Sequence, residues 1–254
     1  MKASESEENR GMEKERFASA CARIVGREYE RDTIGLLGEK TMHAVLKDFM
    51  EPDHAFHEKK VEGYVADILR DDAIIEIQTR AFDRLLPKLK AFLPLYHVTV
   101  VYPIPAVKYL SWVKEDGSVT PLRRVPKKGS FFDAGRELER ILPYLTHPSL
   151  SVKLLLVDME EYRLQNGWGK DKKRGAERHD RIPLALSDSL LLQDVASFAA
   201  LLPPSLSSPF TRKEFKKAIR GGPKNTISLL RVLCEMGIVT QTGKRGNALL
   251  YEKR

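Results

Sequence analysis

The chain has 254 residues, 42% hydrophobic and 31% charged, with a net charge of +8, the balance of a globular protein able to bury a core as one large domain or a medium domain with a small partner. No apolar run approaches the ~18 residues a membrane helix needs. The polar N-terminus MKASESEENRGMEKER lacks the apolar stretch of a secretory signal, and Cys21 and Cys234 have no CxxC companion, so the expectation is a cytoplasmic protein with reduced thiols, without membrane contact or cysteine-bound zinc.

In chain order, residues 1–12 offer nothing to bury and are expected to be disordered. Phe17, Cys21, Ile24 and Val25 recur at helical spacing and predict an accessory helix over 13–30. A second helix is predicted over 33–50, stopped by Pro52. The period then changes to three strands at 55–61, 64–70 and 73–79, followed by a helix at 82–93 and a strand at 97–104. YLSWVKEDGSVTPLRRV reads as a hairpin turning at Asp116-Gly117, with a helix at 134–145 and a strand at 151–159 beyond it. The basic, glycine-broken run 166–181 is either a solvated loop or a clamp for a phosphate backbone. LLPPSLSSPF (201–210) marks a boundary, giving a tail and accessory helix (1–32), a central domain (33–205) and a C-terminal domain (206–254).

The segment AIIEIQT (73–79) sets Glu76 and Gln78 inside an otherwise apolar strand. If Asp71-Asp72 forms a two-residue turn, Asp67 faces Glu76 and Val65 faces Gln78. Period two then puts Asp67, Glu76 and Gln78 on one face, with Ala66, Ile68, Ile75 and Ile77 on the other. Two opposed, partly buried carboxylates repel each other and call for positive charge. A divalent ion such as Mg²⁺ or Mn²⁺ supplies it; so does an Arg or Lys near a strand end.

Asp67, eight intervening residues and Glu76-Ile77-Gln78, placed on paired strands after a helix, resemble the PD-(D/E)xK nuclease superfamily. Its core order of helix, three strands, helix and strand is the one read above. The resemblance implies an α/β fold with a restriction-endonuclease-like mixed sheet flanked by helices. It also implies that Asp67 and Glu76 bind Mg²⁺ (or Mn²⁺), with the Ile77 carbonyl and Glu39 as further ligands and His43 one turn beyond Glu39. Ala66 stands in place of the family's proline. Gln78 stands in place of its lysine, and an amide orients a water but cannot help deprotonate it. Lys60, facing Val65 across a Glu62-Gly63 turn, is one surrogate; a register slip offers Lys59, and the next helix offers Lys88 and Lys90. RRVPKKG (123–129) either lines a DNA groove or leaves the hairpin exposed.

Residues 206–254 hold 11 Lys/Arg against 3 Asp/Glu, and the first 205 residues hold 32 of each, so the whole charge excess lies in the tail. That segregation predicts a polyanionic partner, DNA before membrane. The segment resembles a winged helix-turn-helix. Thr211 and Glu214 form a capping box, Gly221-Gly222-Pro223 breaks the first helix, and Asn225 is expected to cap a second with a buried stripe of Ile227, Leu230, Leu233 and Cys234. The resemblance implies that this helix enters a major groove with Lys224, Asn225, Thr226, Ser228 and Arg231 outward, and that Lys244 and Arg245 sit at the tip of a wing, GKRGN.

The expected function is a metal-dependent DNA nuclease targeted by a winged helix, with a homodimer as a further expectation because cutting both strands of a duplex calls for two active sites. The alternative is a DNA-binding regulator with a catalytically inactive nuclease-like domain. A purely structural role leaves the charge segregation unexplained.

Overall fold

The structure, a computed structural model, describes residues 2–28, 41–114, 116–164 and 177–254. Two helices, α1 (Lys2–Glu28) and α2 (Thr41–Met50), precede strands β1 (His57–Val61), β2 (Tyr64–Arg70) and β3 (Ala73–Ile77). Helix α3 (Leu86–Phe92) and the long strand β4 (His97–Val113) follow. After β5 (Arg123–Arg124) come α4 (Gly135–Arg140), β6 (Leu150–Leu164) and β7 (Glu177–Leu192). The chain ends with β8 (Phe210–Thr211), α5 (Arg212–Ala218), α6 (Pro223–Glu235), β9 (Val239–Arg245) and β10 (Ala248–Lys253).

The protein is α/β, with a seven-stranded mixed sheet of order β1-β2-β3-β4-β6-β7, β5 joining β4, flanked by helices. β2 and β3 are antiparallel, and β3 and β4 are parallel with α3 in the crossover. The predicted order of helix, three strands, helix and strand is therefore present. Among the described residues no helix is long and apolar enough to cross a membrane.

Two compact units divide the chain, one of residues 1–57, 105–129 and 155–189, the other of 58–104, 130–154 and 190–254.

In the first unit α1 corrects the expected disorder of the N-terminus, since the helix already includes residues 2–12. Its Lys, Glu, Ala and Arg residues are good helix formers, and once a buried turn is anchored each further residue extends the helix at little cost. The anchor is local: Phe17 and Ala20 are fully buried, Phe17 meets Phe49 of α2 edge to face at 5.3 Å, and Arg23 donates two hydrogen bonds to the buried Asp48, at 2.6 and 2.9 Å. The predicted hairpin at Asp116-Gly117 is observed, with Gly117 at φ +79° and the Lys114 N–H bonded to the Ser118 carbonyl. β5 pairs back on β4 at Tyr109↔Arg124 and Leu110↔Arg123. β7 has no counterpart in the sequence reading. Residues 177–181, taken as the end of a basic loop, are its first five, and Pro183 interrupts the pattern that would mark the rest. Residues 166–176 of that loop, like Glu39, lie outside the described residues.

In the second unit both hairpin turns fall where the sequence puts them. Glu62 and Gly63 both have positive φ, the combination that suits a tight two-residue connection, and Asp71 has φ 53°. Both sheet faces bury apolar side chains, Ile68 on one and Ile74 on the other. A separate three-stranded sheet of order β8-β10-β9 is built with α5 and α6 from residues 210–253.

Candidate functional site

The observed β2–β3 register is Ile68↔Ile75, Leu69↔Ile74 and Arg70↔Ala73, as the two-residue turn requires. Extended by one pair, it sets Asp67 opposite Glu76 on one face. The backbone ladder stops just there. In its place the Ile77 N–H donates to Asp67 Oδ2 at 2.7 Å, so a side-chain carboxylate, not a backbone carbonyl, ties the two strands.

Glu76 is only 2% exposed. The positive charge that the pair demands comes from α3: Lys88 Nζ donates to Glu76 Oε2 at 2.7 Å, to Oε1 at 3.0 Å and to the Val65 carbonyl at 2.7 Å. An ammonium has three N–H donors, and these three bonds use them all. Burial nevertheless pushes the Glu76 carboxyl up to about 7, with the Asp67 charge adding to the rise and Lys88 opposing it. Among the described residues no cluster of three or more His, Cys, Asp and Glu side chains is poised to hold a metal ion. The donor set for a hard cation here is the two carboxylates, which suits an ion that completes its shell with water and phosphate oxygens.

The other expected members of this site are placed elsewhere. Gln78 lies past the end of β3, and its amide donates to the carbonyls of Arg80 (2.6 Å) and Ala81 (3.1 Å). That commits the NH₂ group to holding the turn where Ala81 takes a left-handed backbone, so Gln78 does not orient a water with it. Lys60 is exposed on β1 and Lys90 is exposed on α3, while Lys88 reaches Glu76. Burial pushes the Cys21 thiol up to about 12, away from the thiolate form.

The C-terminal helix departs further from expectation. Asn225, Thr226 and Ser228, expected to face outward, are buried. The Arg136 N–H donates to Asn225 Oδ1 at 3.2 Å, Asn225 Nδ2 donates to the Phe132 carbonyl at 2.7 Å, and Ser228 Oγ donates to Glu139 at 2.5 Å. These polar groups satisfy α4 and the turn before it. Gly135 makes the approach possible, because a Cβ there would stand 2.6 Å from Leu229 Cβ. Gly222 caps α6 and Pro223 is its first residue, so Asn225 sits inside the first turn; Leu229 and Val232 join the buried stripe while Ile227 is 49% exposed. Arg231 is exposed and pairs with Glu139 at 3.3 Å. β9 runs through Lys244 and Arg245, leaving Gly246-Asn247 as the turn, and Arg245 pairs with Glu214 at 3.0 Å. The Thr211/Glu214 capping box is present. What remains open is a cavity of about 480 Å³ lined by Arg212, Lys213 and Lys216 on one side and by Ile227, Leu249 and Tyr251 among others.

Residues 40–193 match the family described as a domain of unknown function (DUF8091), a span that takes in Asp67, Glu76 and Lys88. An uncharacterized protein of Treponema pallidum (strain Nichols) is 32% identical over 222 residues, covering 87% of this chain and 88% of that relative. No solved structure matches the chain. On a match over more than half its length, this chain belongs to the DUF8091 family.

Proposed function

We propose that the chain is a metal-dependent DNA nuclease of the PD-(D/E)xK type in which Lys88, on α3, serves in place of the lysine that Gln78 replaces. The observation that carries the reading is the shared face of Asp67 and Glu76 on paired strands with an ammonium 2.7 Å from Glu76. Asp67 and Glu76 would hold the ion, which when bound polarises the scissile phosphate and acidifies an attacking water. The bond from Ile77 fixes Asp67, and the Val65 carbonyl fixes Lys88 beside the carboxylates. Charge building on the phosphate oxygens would then meet an ammonium already oriented.

DNA contact in this reading rests on the charge of 206–254, where the sheet β8-β10-β9 with α5 and α6 would serve as a winged helix. With Asn225, Thr226 and Ser228 buried, contact falls to exposed cations, Lys213, Lys216, Lys224 and Lys244, which bind phosphate without reading bases.

The test is cleavage of single-stranded, duplex and branched DNA with Mg²⁺ or Mn²⁺, in parallel with Asp67→Ala, Glu76→Ala and Lys88→Ala. Cleavage that needs the ion and falls at least about 100-fold in each variant supports the reading. Variants that cut like the parent overturn it.

A second reading, a DNA-binding regulator with an inactive nuclease-like domain, is favoured by four hydrogen bonds: Lys88 already engages both Glu76 oxygens, and the Gln78 amide is engaged by the Arg80 and Ala81 carbonyls. Salt-sensitive DNA binding without cleavage under any of those conditions is its signature.

A further inference from the structure

In the first unit, β4, β6 and β7 bring Lys108, Glu161, Arg163 and Arg181 together. Glu161 has no exposed surface. Arg163 donates to its Oε1 at 2.6 and 2.8 Å, Arg181 donates to Oε2 at 3.1 Å, and the Lys108 ammonium stands 3.5 Å from Oε1. Among the described residues three cations thus converge on this carboxylate. Burial lowers the Lys108 pKa, and Arg163 and Arg181 push the same way against the pull of Glu161.

The same face carries an aromatic ring. Leu110 is paired with Arg123 across β4 and β5, and period two adds Lys108 and Trp112 to their side. The Arg163 guanidinium lies over the Trp112 indole, 5.9 Å from its centroid. Trp112, Leu110, Thr120, Pro121 and Arg123 line a cavity of about 340 Å³. Arg123 is exposed and has no carboxylate partner among the described residues. The rim of this cavity is held firmly, since the Trp112 N–H donates to Thr120 Oγ1 at 2.9 Å and Ser111 Oγ donates to the Thr120 carbonyl.

We propose that this face binds a nucleotide unit, its base stacked on Trp112 and its phosphate against Arg123 and the surplus charge around Glu161. An indole offers a stacking surface that any base can use, and arginine matches a phosphate with paired donors. A cavity of this size falls in the ~300–1,000 Å³ range of small-ligand sites. A divalent cation is repelled by the excess of positive charge. An acidic peptide would use the cations and make no use of the indole as a stacking surface. The site is independent of the carboxylates proposed for cleavage, so it stands or falls separately from the nuclease reading.

The experiment uses the full chain carrying Trp168→Phe, which leaves Trp112 as the remaining tryptophan, and Asp67→Ala, which prevents any cutting. Oligo(dT) of twelve residues and thymidine monophosphate are titrated separately while Trp112 fluorescence is followed. Saturable quenching by both identifies a single nucleotide as sufficient, and quenching by the oligomer alone identifies a strand; either supports the proposal. Added Arg123→Ala is expected to weaken binding about tenfold. Trp112→Leu, read by anisotropy of labelled oligomer, is expected to do the same. Arg123 is exposed, so its variant keeps the test decisive even if Trp112→Leu unfolds. Absence of quenching by either ligand overturns the proposal. So does oligomer binding that both variants leave unchanged and that heparin, a polyanion without bases, matches.

Discussion

Glu76 on β3 and Glu161 on β6 are both glutamates withdrawn from solvent, yet their surroundings are opposite. Lys88 bonds both Glu76 oxygens, the Asp67 carboxylate lies close by, and the Glu76 pKa is driven up to about 7. Glu161 meets three cations among the described residues. Burial penalises both charges alike, so the ratio of neighbouring charges decides what each place lacks. At the first, two carboxylates raise each other's cost; at the second, several cations meet one carboxylate.

The sharpest way to break this contrast is Glu161→Gln. Removing the carboxylate leaves three cations facing one another, and a loss of about 3 kcal/mol or more is expected in urea unfolding at pH 7. Lys88→Met deprives Glu76 of its ammonium, but a carboxyl that already titrates near neutrality can take up a proton instead. The expected loss is smaller, about 1–2 kcal/mol at pH 7 and nearly nil at pH 5, by the same method.

A third test concerns pH. The folded pKa of Glu76 lies above its ordinary 4.5, so the native chain binds more protons than the unfolded one between about 4.5 and 7. The stability from this group is full below that window and is lost as pH rises through it. Thermal unfolding of Glu76→Gln should show a flatter pH dependence across the window than the parent, and Asp67→Asn should move the parent's fall to lower pH. An identical profile in Glu76→Gln would remove Glu76 as its source. The smallest effect is expected from Lys108→Met: with two arginines still on Glu161, stability should change by less than about 1 kcal/mol. A loss as large as that of Glu161→Gln would show that no cation there is in excess.

Much of the carboxylate site was legible because it depends on local geometry. A two-residue turn sets the register, register sets the face, and so Asp67 and Glu76 could be paired from their numbers alone. Lys88 could be named only as one of several lysines, because which ammonium reaches Glu76 depends on how α3 crosses the sheet. Glu161 gave no signal. Its three cations come from three strands, one of them unread, and no spacing in the chain links 108, 161, 163 and 181. The C-terminal helix misled for a related reason: Asn225 and Ser228 look like surface residues until the Phe132 carbonyl and Glu139 arrive as partners.

The sequence by itself determined the order of helices and strands apart from β7, the two tight hairpin turns, the capping box at Thr211 and the concentration of positive charge after residue 205. These follow from periodicity, turn chemistry and composition, which act over a few residues. Only the tertiary structure decided which lysine meets Glu76, that Gly135 brings α4 against α6 and buries the polar start of that helix, and that one carboxylate gathers three cations. Those outcomes depend on partners dozens of residues away, where the strength of each charge and hydrogen bond is set by burial that no local pattern reveals.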